Sequence, residues 1–575
     1  MEKKIRQTTL NRNPIIWAKD AWFLAKPFWI SPDSPNKYIA YILITVVITF
    51  NLLMIAASVA INKWYNKFYD ALQNYDKTSF YKLLMIFCII AFAYITFAVL
   101  SYLFRKFLEI RWRKWLTQYY MDKWFANKAY YKTKFLSEIS DNPDQRISED
   151  INSFIVLFMD ITLGLMNSVV TLCSFVIILW TLSGPLKFTL GGHHIVIYGY
   201  IVWATILYAI IGTYITFKIG RPLIKLQYEQ QAYAADFRFG LMRVREYSEN
   251  IAFYNGEPQE KVELTKRFTN VVNNFISIIF RQLKIDIFGV GYAQLAVIFP
   301  FLVAAPRYFA KAIKLGDVMQ ISSAFGHVQS ALSYFIDAYT SLSGWRAVMD
   351  RLYGFQMAIE NAEKLDGLDI KANNSYLTLK QVALDLPNGS SLAKNINFEL
   401  QSGDSILIKG RSGSGKTTLL RTIAGLWHFA KGNIYQKPDL RQIFVAQKPY
   451  LPIGTLKNAI CYPQTENLPD NSELSKLLTK CTLANLITQL DDTADWGNTL
   501  SIGEQQRIAF CRILINKPDI IYLDEATSAL DEETEELMYS LIKSELPKSV
   551  IVSVGHRSTV TKWHNQILNF NGLVA

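Results

Sequence analysis

Cysteine is scarce in this chain: Cys88, Cys173, Cys461, Cys481 and Cys511 are the whole complement of 575 residues. They form no CxxC pair and have no histidine at metal-ligand spacing, which excludes a disulfide framework and a zinc centre and leaves reduced structural thiols. Acidic residues are also in deficit, 48 against 60 Lys and Arg, for a formal charge of +12. That excess does not point to nucleic acid, because the basic residues lie beside long apolar segments, as the cytoplasmic loops of a membrane protein do. A cleavable leader is missing too: residues 1–37 are polar and amphipathic, too long a lead for a signal peptide, so the first apolar segment reads as a retained span. Over several long stretches the chain lacks charge altogether.

A bilayer core needs about 20 apolar residues as helix. Uncharged stretches of that order run Tyr38–Ile61, Leu83–Phe104, Ile161–Leu182, Ile195–Phe217 and Ile287–Ala305. A sixth, Val318–Ile336, is uncharged but more polar. The loops at 105–160 and 218–286 are rich in Lys and Arg, whereas the connections after the third and fifth spans are poor in them. This alternation puts both rich loops and the N-terminus in the cytoplasm. A nucleotide-binding C-terminal domain must join them there, which requires the sixth span.

Trp17, Ala21, Leu24 and Phe28 share one face of an N-terminal helix, either an elbow lying in the membrane interface or a helix packed on protein. The two long loops read as spans continuing into the cytoplasm, broken at Asn142-Pro143 and at Asn255-Gly256-Glu257-Pro258. On the sixth span, Gln320, Ser323, His327, Ser330, Tyr334 and Asp337 recur at steps of three and four. This polar stripe should face protein or water, as a solute path or as helix-packing contacts.

From about Leu368 the pattern becomes that of a soluble α/β domain. A strand at Ser405–Lys409 leads into GRSGSGKTT, with Gly410, Gly415, Lys416 and Thr417 at the fixed positions of G-x-x-x-x-G-K-[ST] and a helix following. Backbone N–H groups from Gly410, Arg411, Ser412, Gly413, Ser414, Gly415, Lys416, Thr417 and Thr418 would cradle phosphates, Lys416 would reach the β and γ oxygens, and Thr417 would hold Mg²⁺. A second apolar strand ends in Asp524-Glu525, a metal ligand followed by a general base. Gln447 and His556 each follow another apolar strand, positions that suit a Mg²⁺- and water-sensing group and a γ-phosphate contact. A second phosphate-binding turn lies in TLSIGEQQR, at a helix N-terminus.

The order GRSGSGKTT, Gln447, LSIGEQQ, IIYLDE, SALD, His556 resembles the nucleotide-binding cassette of ATP-binding-cassette (ABC) transporters. In that family two cassettes face head to tail, so the resemblance implies that Ser501, Ile502, Gly503, Glu504 and Gln505 cap the ATP of a partner, with Asp531 in the D-loop. NPDQRISED, REYSENIAFYNGE and FPFLVAAPRYF extend the likeness across the membrane half, toward the SbmA/BacA-like branch with its peroxisomal acyl-CoA and bacterial cobalamin and peptide carriers. The family's fold makes Asn142, Pro143, Asp144, Gln145 and Arg146, and Glu249, Gly256 and Glu257, coupling contacts for the cassettes. Ile502 and Glu504 stand where the wider family has Gly and Gln, and Leu386-Pro387 where it has an adenine-stacking aromatic.

The expected protein is thus a six-helix, exporter-like transmembrane domain fused to a P-loop α/β domain. Its segments are an N-terminal stretch at 1–37, the membrane domain at 38–345, a linker at 346–367 and the cassette at 368–575. It should hydrolyse ATP with Mg²⁺ as a homodimer in the lipid of a bacterial-type inner membrane, without nucleic acid, and import peptides, cobalamin-like or other hydrophilic solutes. Export of a lipid or amphipathic drug is the alternative, and a non-transporting ATP-gated channel or regulator a second.

Overall fold

A computed structural model describes residues 14–30, 37–136, 142–190, 193–365 and 367–570. The chain forms two compact units, one of residues 1–124 and 139–357, the other of 125–138 and 358–575.

The first unit is helical: α1 (Pro14–Ile30), α2 (Lys37–Gln73), α3 (Lys77–Phe125), α4 (Ile151–Ser183), α5 (Tyr200–Glu246), α6 (Glu257–Phe309) and α7 (Leu315–Glu363), whose end runs into the second unit. Five helices, α2 to α6, carry an apolar window long enough to cross a membrane; α7 is as long as α3 but more polar, as its stripe requires. The α1 face behaves as amphipathicity demands. Ala21, Leu24 and Phe28 are buried, with the Phe28 ring stacked 5.4 Å from that of Trp112, while Trp22 and Ile30 stay exposed. The Trp17 side chain lies outside the described ones.

The fourth span starts later than its hydropathy suggests. Pro185–Leu190 (β1) and His193–Tyr198 (β2) pair antiparallel, and α5 begins only at Tyr200, after Gly199 at φ +68°. The β-branched and aromatic run Ile195–Tyr198 is apolar enough for a helix but alternates well in a hairpin. α5 and α6 pack along each other. Tyr208 and Tyr292 stack at 4.5 Å there, and each hydroxyl donates to the other's carbonyl, at 2.6 and 3.1 Å.

Among the described residues the second unit holds two larger sheets and a short pair of Gly454–Thr455 with Thr493–Ala494. β3 (Ile370–Ala372), β4 (Leu377–Asp385), β5 (Ser391–Leu400) and β7 (Ala430–Gln436) form a mostly antiparallel sheet ordered β3-β7-β4-β5. β6 (Ser405–Lys409), β8 (Gln442–Val445), β9 (Ile520–Asp524), β10 (Val550–Val554) and β11 (Gln566–Asn569) form a parallel sheet ordered β11-β6-β10-β9-β8. Its central strands are mostly apolar and buried because both faces are covered. The helices used below are α8 (Lys416–Ile423), α9 (Asn471–Lys480), α10 (Ile502–Asn516) and α11 (Glu532–Glu545). Parallel order places the C-terminal ends of β6, β8, β9 and β10 along one edge, where loops carrying functional groups belong.

Candidate functional site

At that edge β6 turns through the glycine-rich loop into α8. Gly413 and Gly415 take φ +78° and +103°, and a Cβ on Gly415 would overlap Leu392, so both the backbone and the close approach require glycine. Lys416 is buried and its Nζ donates to the carbonyls of Gly410 at 2.9 Å and Arg411 at 2.8 Å, curling over the loop. Ser414 is buried and its hydroxyl has no hydrogen-bond partner among the described residues. An orphaned hydroxyl beside a lysine and a helix N-terminus fits a phosphate chain.

One residue into α8, Thr417 Oγ1 donates to Asp524 Oδ1 at 3.0 Å. Burial raises the Asp524 carboxyl above its ordinary value, the Thr417 bond opposes this, and neighbouring Glu525 pushes it further up. A hard cation would relieve that strain, and a hydroxyl beside a carboxylate is an oxygen donor set suited to Mg²⁺. Glu525 follows at φ +51°, its N–H bonded to the Val554 carbonyl at 3.0 Å. A glutamate held in the left-handed region is strained, and this conformation sets it at the mouth of the edge. Glu525 and His556 line one depression with Ser528 and Arg557. Asp531 caps α11 by accepting from Thr534 N at 2.7 Å.

Ser501 is the N-cap of α10 in a full capping box with Glu504, and Ile502 is half exposed beside it. Gly503 lies close to the D-loop, where a Cβ would come 3.2 Å from the Ala529 carbonyl oxygen. Gln505 is buried and donates to the carbonyls of Gly497 and Leu500, both at 2.8 Å. Gln447 is exposed, and its carbonyl accepts from Gln506 Nε2 at 2.8 Å. Sequence reasoning passed over Gln506, whose importance rests on contacts to two distant loops.

Of the expected coupling residues, Asn142 takes φ +50° ahead of the turn Pro143–Gln145, and Asp144 and Gln145 are exposed. Arg146 bonds Asp150 at 2.6 Å, and Arg351 of α7 reaches the same carboxylate through Nε at 2.9 Å and a terminal nitrogen at 2.5 Å. Glu249, Gly256 and Glu257 surround the turn after Ser248–Tyr254, whose Phe253 and Tyr254 are strongly exposed. A further segment that sequence reasoning missed, Ala126–Phe135, folds as part of the cassette unit. There the Phe135 ring meets Trp427 at 5.3 Å, Lys132 Nζ donates to the Leu365 carbonyl at 2.9 Å, and Lys128 Nζ donates to that of Ala424 at 3.3 Å. Its signal was the cluster Tyr130, Tyr131 and Phe135 in a loop otherwise polar.

The polar stripe of α7 divides. Gln320 exchanges hydrogen bonds with Asn62 of α2, and Asn66–Asp317 and Asp70–Gly316 continue the same zipper. That end packs helices. His327, Ser330 and Tyr334 instead line a cavity of about 360 Å³ with Asn51, Ser58, Tyr94 and Asn167. Ser323 is half buried; the Asp337 side chain lies outside the described ones.

A glycine-rich phosphate loop, a strand-end Asp-Glu pair and a long-helix membrane unit on one chain define a membrane-embedded P-loop ATPase. The comparisons with known proteins give the family. Residues 34–309 match the ABC transporter transmembrane region 2, and residues 393–528 the ABC transporter ATP-binding family. An uncharacterised ABC transporter ATP-binding protein of Haemophilus influenzae is 40% identical over 96% of this chain and 92% of its own. The Escherichia coli inner membrane ABC transporter ATP-binding protein YddA is 33% identical over 96% and 97%, and the human lysosomal cobalamin transporter ABCD4 is 28% identical over 81% and 80%. A bacterial Atm1-family ABC exporter with ATP bound superposes with a TM-score of 0.70 at 17% identity, over 93% of this chain and 94% of that one, which establishes the exporter-like fold. The chain belongs to the ABC transporter family. It is an ATP-hydrolysing half-transporter with fused membrane and nucleotide-binding domains, related to ABCD-type transporters.

Proposed function

We propose that two copies of this chain form a homodimeric transporter of the SbmA/BacA-like branch. In it, ATP and Mg²⁺ bound by one cassette are capped by Ser501 and Gly503 of the other, and hydrolysis drives a hydrophilic solute across a bacterial inner membrane. The observation that carries the reading is the cassette's second phosphate-binding turn. Its Ser501 hydroxyl bonds Glu504 of its own helix and no group of the chain's own phosphate loop. A second copy supplies the missing nucleotide. Exposed apolar side chains along α5 and α6, among them Phe239, Met242, Phe275 and Phe280, offer it a surface.

Thr417 and Asp524 would hold Mg²⁺, with Gln447 joining them, Glu525 would take the proton of the attacking water, and His556 would contact the γ-phosphate. Bound there, the metal would supply charge neutralisation to the phosphates. Ala126–Phe135 and the turn at Glu249–Glu257 would pass cassette closure to the spans, and the Arg146–Asp150–Arg351 cluster would hold the first loop on α7. The polar side chains in the cavity lining, among them His327, Ser330 and Asn167, support a solute that carries polar groups. The cobalamin transporter among the relatives supports a cobalamin-like solute, and the proposed direction is import.

Glu525→Gln is expected to lower ATP turnover by at least about 100-fold while leaving ATP binding intact, measured as phosphate release and nucleotide affinity in lipid. Unchanged turnover would remove Glu525 from its role. Direction is tested with inside-out vesicles and a panel of cobalamin, cationic peptide and acyl-CoA: an importer accumulates none of them on ATP addition. Accumulation there would establish export.

A further inference from the structure

Glu504 occupies the place where a phosphate would bind. Its Oε2 accepts from Ser501 N at 3.0 Å and from Ser501 Oγ at 2.8 Å, while Ser501 Oγ itself accepts from Glu504 N at 3.3 Å. The hydroxyl proton and the N-cap N–H are therefore both committed to one carboxylate, and the Glu504 N–H is taken by Ser501 Oγ. These are the groups with which a helix N-terminus holds an anion. An approaching γ-phosphate meets a negative charge already seated on the same donors.

The carboxylate also has somewhere to go. Its other oxygen, Oε1, is 3.3 Å from Asn485 Nδ2, on the 3₁₀ turn Ala484–Gln489. Arg507, one turn further along α10, is held at 2.8 Å by the carbonyl and hydroxyl of Thr482, so its charge stands nearby on a fixed support. A side-chain rotation toward Asn485 would release Ser501 without unwinding α10, because the backbone bond from Gln505 N to the Ser501 carbonyl is independent of it.

We propose that Glu504 is an intramolecular phosphate mimic that holds the signature segment closed to nucleotide until ATP on the partner cassette displaces it toward Asn485. This rests on the reading that the signature segment caps a partner's ATP. In a homodimer two carboxylates must yield at once, so the device sets the ATP concentration at which the cassettes close. It also keeps the signature helix capped and ordered while the subunits are apart. A simple capping role makes a different prediction, since Gln serves at this position of a capping box as well as Glu.

The test uses the full-length protein in lipid discs, with ATP hydrolysis and cross-linking of the closed dimer measured against ATP concentration. Glu504→Gln keeps the hydrogen bonds and removes the charge. It should lower the half-saturating ATP concentration about tenfold, the size of a partly screened like-charge contact, with an unchanged melting temperature. Raising salt from about 50 to about 500 mM should shrink that gap. Asn485→Ala, which removes the receiving amide, should raise half-saturation instead. Half-saturation for Glu504→Gln that equals or exceeds wild type at low salt would overturn the proposal and leave Glu504 a cap. Ser501→Arg separates the two layers. If it abolishes hydrolysis while Glu504→Gln changes nothing, only the mimic fails. If it hydrolyses ATP at the wild-type rate, the shared-site reading fails first.

Discussion

Gln506 is fully buried and serves two loops at once: its Nε2 donates to the Gln447 carbonyl at 2.8 Å and to Ser528 Oγ at 3.2 Å, and its Oε1 accepts from Ala529 N at 3.1 Å. It thereby ties the signature helix to both the loop after β8 and the D-loop. Gln506→Leu would remove these bonds from the half-buried Gln447 carbonyl and Ala529 N–H, a loss of about 1–3 kcal/mol, seen as a lower melting temperature of the cassette and slower ATP turnover. His564 gives a pH signature in the same domain. Burial pushes its pKa down to about 4, with the Val560 carbonyl opposing and Lys543 and Lys409 adding to the fall. An unfolded chain takes up that proton near pH 6.5 and the folded one does not, so stability is full above about pH 6.5 and falls progressively toward pH 4. Melting curves at pH 7.5 and 5 should differ more for wild type than for His564→Gln. Lys416, Thr417 and Asp524 were legible as candidates because each occupies a position in a strand–loop pattern, although Thr417 and Asp524 meet across 107 residues. Gln506 was not, because no such pattern marks a glutamine whose bonds run to loops 59 and 22 residues away.

Elements were mostly legible where hydrophobic periodicity was strong. β6 and β10 fall at the residues the apolar runs marked, and the spans all lie inside helices. The exception is the start of the fourth span, where Ile195–Tyr198 joins a hairpin because pairing with Pro185–Leu190 satisfies its backbone outside the helix. The NPDQRISED stretch was recognisable by itself, but its anchor was not: Asp150 is buried between Arg146 and Arg351, the latter 201 residues on. Asp150→Ala would strand two guanidinium groups, one of them nearly buried, and should cost about 3 kcal/mol. Loss of thermal stability in lipid should be accompanied by ATP turnover that no longer responds to solute. Asp150→Ala with unchanged melting would show the cluster to be surface decoration.

At the scale of the molecule the proposed homodimer makes the chain half of a machine. In that reading its apolar α5–α6 surface, its signature turn and its phosphate loop each meet a counterpart on a second copy. In lipid discs the particle should contain two chains, about twice 65.9 kDa of protein. Because the two cassettes close together, a mixed dimer that loses one lid should lose both sites, and Ser501→Arg mixed with wild type should reduce turnover more steeply than in proportion to the mutant fraction. A linear decline would mean that each site works independently of the other.

The sequence by itself determined that this is a membrane ATPase with a cassette of known order, because phosphate cradling and bilayer crossing depend on local spacing and local composition. Tertiary structure decided what spacing does not encode. It split the α7 stripe into a packing zipper and a cavity lining, because only the position of α2 tells which face of α7 meets Asn62 and which meets open space. It also put the Glu504 carboxylate on Ser501, where a side-chain rotamer rather than a residue type fixes which anion the helix holds.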